Sequence, residues 1–119
     1  MFQDKFYLMN YNKKLFRAIS NTQNGDTSSE TIFEYIQKGN ILSSDYSGGK
    51  ILVGHLIGIV NELGHINMRY HHINSEGELM TGICFSKPEI LSNGKIRLHE
   101  KWRWTSGDCS EGESILEEI

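Results

Sequence analysis

Proline occurs once in the 119 residues, at Pro88, and cysteine twice, at Cys84 and Cys109. Two thiols so placed supply neither a zinc-ligand spacing nor a framework of bridges, and they read as free thiols of a reducing compartment. Long apolar runs are missing as well. No segment reaches the ~20 residues that a membrane-spanning helix needs. The opening MFQDKFYLMNYNKK has neither the continuous apolar stretch nor the small-residue cleavage site of a secretory leader. A cytoplasmic location is expected. Positive charge is in no excess either: 12 Lys and Arg stand against 15 Asp and Glu, a formal net charge of −3. Nucleic-acid binders concentrate cations on one face. Here they are dispersed, so neither nucleic acid nor membrane is an expected partner.

Signatures of catalysis are equally scarce. No Gly-x-Ser-x-Gly elbow occurs, and neither cysteine lies in a recognisable nucleophile motif. The run GGKILVGHLIG lacks the Gly-Lys-Ser/Thr ending of a phosphate loop and opens no helix. Five histidines raise the question of a metal. His71 and His72, however, are adjacent on an extended segment and must point to opposite faces, so they cannot easily share an ion. No metal site, no catalytic residue and no cofactor is read from the residues.

What the chain does have is glycine, 12 residues, falling at near-regular intervals: Gly39, Gly48-Gly49, Gly64, Gly77, Gly94 and Gly107. Between them lie short runs of alternating apolar and polar residues. This is the rhythm of consecutive hairpins. Strands are predicted near 15–20, 30–37, 40–46, 50–60, 65–73, 78–87, 95–104 and 113–119. The fold expected is all-β: one antiparallel up-and-down barrel or curled roll of about eight strands over residues 9–119. Residues 1–8 read as a disordered extension, Thr105 to Gly112 as a polar loop, and the end of the acidic tail, residues 113–119, as the strand that closes the barrel.

One strand carries an anomaly. In KIRLHEKWRW, residues 95–104, parity puts Ile96, Leu98, Trp102 and Trp104 on one face, and Glu100 with them. A carboxylate among apolar neighbours needs partners, because an unpaired buried charge costs several kcal/mol. Counting each hairpin from its glycine pairs Tyr35 with Leu42, Leu42 with His55, His55 with Tyr70, Tyr70 with Thr81 and Thr81 with Glu100. The expectation is an inward polar row of Tyr35, His55, Tyr70, Thr81 and Glu100, lining a small ligand site. His72, Trp102 and Trp104 are secondary candidates. The competing reading is a hydrogen-bonded core network that fixes register. A His55–Glu100 acid/base pair would be a further step. In the same reading Gly54 and Gly58 share the outward face of their strand, and that face or a free strand edge would serve a homodimer.

The segments ISNTQNGDTSSETIFEY, GGKILVGHLIG, MRYHHIN, GELMTG and PEILSNGKIRLHEKWRWTSGD resemble a family of small one-domain bacterial proteins often labelled "N-acetylglutamate synthase". The resemblance runs from Met9 to Ile119. It implies acetyl transfer from acetyl-coenzyme A to the amino group of glutamate, with acetyl-coenzyme A as the cofactor. No Arg/Gln-x-x-Gly-x-Gly/Ala turn, which would hold the coenzyme pyrophosphate, occurs in the chain. In general plan the expected barrel is similar to the lipocalin and avidin type. Small-molecule binding without catalysis is the leading expectation, with the acetyltransferase and a structural or interaction protein as alternatives.

Overall fold

The alternating runs become strands and the glycines between them become turns. The computed structural model describes residues 9–119, and the reading of residues 1–8 lies outside them. Eight strands follow in order: β1 (Lys14–Asn21), β2 (Ile32–Lys38), β3 (Ile41–Gly48), β4 (Ile51–Val60), β5 (Ile66–Asn74), β6 (Leu79–Ile90), β7 (Ile96–Trp104) and β8 (Glu111–Glu118). Each pairs antiparallel with its sequence neighbours, and β1 pairs with β8, so the sheet is a closed barrel. The tail therefore does form the closing strand. Along that seam Phe16 faces Glu118 and Asn21 faces Ser114. Lys14 Nζ stands 3.3 Å from Glu118 Oε2, and Arg97 on β7 grips Glu117 Oε2 with both Nε and Nη2.

The two ends of the barrel differ. Tyr11, Phe16, Leu42, Ile66, Leu98 and Leu116 are fully buried and fill the end where β1 begins. Each such apolar side chain contributes about 1.5–3 kcal/mol relative to exposure. The other end is not filled in this way.

The register departs from the one read off the glycines, and the turns explain the departure. At Asn61–His65, the Asn61 N–H donates to His65 O and the Gly64 N–H to Asn61 O, with Gly64 at φ +80°. The left-handed glycine adds a residue to the loop, so Val60, not Ile59, pairs with Ile66. Asn74–Glu78 repeats the arrangement, and Tyr70 faces Gly82 in place of Thr81. An irregularity between Tyr46 and Gly48 sets Leu42 against Gly58 in place of His55. On β7, Glu100 faces Ser86 in place of Thr81. A slip of an odd number of residues exchanges the two faces of a strand. Four such slips in succession invert β4 and β6 and leave β5 and β7 as expected. Gly54 and Gly58 consequently face inward, and His55 and Thr81 outward.

Candidate functional site

The unfilled end holds a cavity of about 50 Å³. Its walls are the inward residues Phe33 and Tyr35 of β2, Tyr46 of β3, Leu56 of β4, Met68 and Tyr70 of β5, and Trp102 and Trp104 of β7. The rings contact one another in sequence around the barrel. Phe33 stacks on Tyr46 with centroids 4.8 Å apart, and Trp104 meets Tyr70 at 5.8 Å and Trp102 at 5.4 Å.

Space for a cavity depends on glycine. Tyr46 lies directly across from Gly54, Tyr70 from Gly82 and Trp102 from Gly112. A Cβ at any of the three glycines would fall within 2.8 Å of the facing ring. Each aromatic therefore passes close over a bare stretch of the neighbouring strand, where a side chain would push the ring aside. Aromatic side chains covering cross-strand glycines are a recurrent device in curved sheets.

At the cavity floor lies Glu100, only 8% exposed. Its Oε2 accepts from Ser86 Oγ at 2.7 Å and its Oε1 from Ser114 Oγ at 3.0 Å. These two hydroxyls are the partners the anomalous carboxylate requires. Burial pushes the Glu100 carboxyl above its ordinary value, and the Ser86 and Ser114 hydrogen bonds oppose that shift. Also lining the cavity, the Tyr35 hydroxyl is buried with no hydrogen-bond partner among the described residues. Burial first, and the Glu100 charge second, hold that phenol well above its usual range. Cys84 also reaches the cavity, but burial raises its thiol well above normal, so it stays protonated and inert.

The mouth is spanned by residues 22–31 between β1 and β2. Asp26 Oδ2 lies 2.9 Å from His72 Nε2, and His72 Nδ1 lies 2.9 Å from the Tyr46 hydroxyl. With Asp26 ionised, a neutral imidazole satisfies both neighbours by donating from Nε2 and accepting at Nδ1. Burial lowers the His72 pKa, against the opposing pull of Asp26. The indoles tie the same segment down: Trp102 Nε1 donates to Asn21 Oδ1 and Trp104 Nε1 to Asn24 O. Asn21 Nδ2 in turn donates to Thr27.

Of the expected row, Tyr35, Tyr70 and Glu100 come together at the cavity, and so do His72, Trp102 and Trp104. His55 and Thr81 do not. His55 is on the outer surface, 2.9 Å from Asp45 Oδ1, and the Thr81 hydroxyl bonds to Thr105 at 2.8 Å, also outside. Thr81 is thus not a partner of Glu100, and an acid/base pair of His55 with Glu100 is ruled out by their placement on opposite faces. The sequence reading missed Tyr46, Ser86 and Ser114, which only the correct register reveals. It also missed Asp26, whose segment carries no periodic signal. His71 points outward and His72 inward, as adjacency required. Among the described residues, no three His, Cys, Asp or Glu side chains gather as metal ligands.

A closed eight-stranded antiparallel barrel with one plugged end and an aromatic cavity at the other is the architecture of barrels that hold one small ligand. The family model described as "Avidin-like protein" matches residues 9–119, and the chain belongs to that family. Comparison with curated proteins and with solved structures returned no match. Membership corrects the resemblance to the "N-acetylglutamate synthase" group: that activity goes with a different fold, and the match gives it no support. The barrel also offers no helix N-terminus to hold a coenzyme pyrophosphate among the described residues.

Proposed function

We propose that this protein binds a small molecule in the barrel cavity and catalyses no reaction on it. The carrying observation is the Tyr35 hydroxyl, which is buried, unpartnered and part of the cavity lining. A buried polar group without a partner costs about 1–3 kcal/mol, and a bound ligand group would supply the missing bond. Aromatic walls with a few polar groups at the floor are the usual make-up of a specific small-molecule site. The same reading fits a Glu100 whose neighbouring thiol, Cys84, is held protonated and inert by burial. Family membership supports the binding class and leaves the ligand open.

Native mass spectrometry of the protein purified from its own host tests this reading. An additional mass that is lost on denaturation, and lost again in a Tyr35→Phe, Glu100→Gln double variant that stays folded, is the expected result. A bare mass in the wild-type protein, with no small molecule recovered on denaturation, would refute it.

A second reading concerns assembly. The outer face of β4 is apolar where solvent would favour polar groups: Val53, Ile57 and Ile59 are 58%, 54% and 60% exposed. Ile41 lies beside Ile59 on the next strand, and Ile73 beside Val53. The closed barrel leaves no free edge, and Gly54 and Gly58 face inward, so neither of the two expected dimer surfaces exists. A second copy of the chain covering the β4 face is the arrangement we propose in their place. Twice the protomer mass in the same spectrum, reduced to one by Ile57→Lys, is the expected result, and a monomeric wild-type protein would overturn it.

A further inference from the structure

The charges that line the cavity carry the reading one step further. Carboxylates stand at both of its levels, Glu100 at the floor and Asp26 at the mouth. Among the described residues, no lysine or arginine lines the cavity. The one basic side chain among the described lining residues is His72, and both of its ring nitrogens are already engaged, with Asp26 and with Tyr46. The Glu100 partners are the neutral hydroxyls of Ser86 and Ser114, with the protonated Cys84 thiol beside them. The floor carboxylate is therefore solvated by hydrogen bonds but not balanced by a positive side chain among the described lining residues, and aromatic side chains surround it.

We propose that the ligand is a small organic amine, bound as its ammonium ion with the charged end against Glu100. This inference rests on the cavity being the binding site and names the chemical class that enters it. Three features of the site suit that class. An ammonium group donates to the free lone pairs of Glu100, forming the charge-assisted bond that the serines do not supply. A second N–H finds the Tyr35 oxygen, the unpartnered polar atom of the lining. The rings of Tyr46, Tyr70, Trp102 and Trp104 line the cavity, and the quadrupole of an aromatic ring attracts a cation set against its face. An anionic ligand would meet two carboxylates with no compensating cation. A neutral alcohol of the same shape would satisfy Tyr35 but leave Glu100 unbalanced.

The test is a titration of the full chain, with butylamine, butan-1-ol and butyrate as matched probes. The indole N–H resonances of Trp102 and Trp104 serve as reporters, since both side chains line the cavity. Butylamine is expected to bind about tenfold or more tightly than butan-1-ol, as a charge-assisted contact implies, and butyrate to shift neither resonance. In Glu100→Gln the amine's advantage should fall to within about threefold, because the neutral amide removes the charge and keeps the shape. Butan-1-ol or butyrate binding as tightly as the amine would overturn the amine assignment and leave the cavity as the binding site. An amine preference unchanged in Glu100→Gln would overturn it as well. If no probe shifts either indole, the amine assignment fails. A bare native mass together with that silence would remove the binding reading too.

Discussion

Replacing Gly54 by alanine adds one methyl group where the structure has no room for it. The new Cβ would fall 2.5 Å from Tyr46 Cε2, 2.6 Å from Tyr46 Cζ and 2.9 Å from His72 Cβ. Gly54 does not adopt a positive φ, so the cost is steric and owes nothing to backbone strain. Tyr46 must tilt into the lumen, away from Phe33, and its hydroxyl must leave His72 Nδ1. Overpacking of this kind costs about 1–3 kcal/mol, and the lost buried hydrogen bond about 1 kcal/mol. The sum, about 2–4 kcal/mol, is a large share of the 5–15 kcal/mol typical of a small domain. At roughly 4 °C per kcal/mol for a chain of this size, the Tm should fall by about 8–16 °C. Urea denaturation of Gly54→Ala, Tyr46→Leu and the double variant checks the cause. Because the clash is with the Tyr46 ring, the double variant should be more stable than the sum of the singles by about 1 kcal/mol or more. Additive effects, or a Gly54→Ala protein within about 0.5 kcal/mol of wild type, would refute the account of the glycine–aromatic pairs.

Other consequences of the site can be checked in parallel. Tyr35→Phe deletes a hydroxyl that has no partner, so the empty protein should melt at the same temperature or a few degrees higher; a loss above about 1 kcal/mol would mean that the hydroxyl is bonded after all. The Glu100 carboxyl is raised in the folded state, so its contribution is favourable below about pH 4.5 and is lost as pH rises through the folded value. Glu100→Gln should accordingly gain on the wild type as pH increases from 4 to 8, and a pH-independent difference in Tm would contradict this. His72 is shifted the opposite way: its folded-state pKa is lowered, so stability should fall as pH drops below about 6.5. His72→Gln should flatten that part of the melting profile. Asp26→Asn removes the carboxylate that anchors the 22–31 segment, and limited proteolysis should cut there about tenfold faster if opening costs about 1.4 kcal/mol less.

The strands were legible because each is bounded by glycine or polar turns and alternates internally. β7 shows how far this goes: parity alone placed Glu100, Trp102 and Trp104 inside, where they are. Pairing was less legible, since it depends on loop length to the single residue. Gly64 and Gly77 were visible in the sequence, but their left-handed conformation, which lengthens each loop by one, was not counted. The errors alternate for that reason. Two odd slips cancel, so Tyr70 and His72 on β5 were assigned to the correct face while His55 on β4 and Thr81 on β6 were not. The partners of Glu100 followed the register and were lost with it. Ser86 and Ser114 are ordinary serines until the strands are aligned. Asp26 lies beyond any such rule, because an irregular segment has no period to read.

The seam between β1 and β8 has a consequence for how the protein is made. Residues 16–21 pair with residues 114–118, so β1 leaves the ribosome well before its partner β8. Until then β1 and β7 are both open edges, and unpaired edges invite pairing with other chains. Closure therefore waits for β8, and contacts across such long sequence separations form slowly. Before closure, the apolar outer row of β4 and two open edges are exposed together. This nascent interval, more than the finished barrel, is where the protein is prone to aggregate.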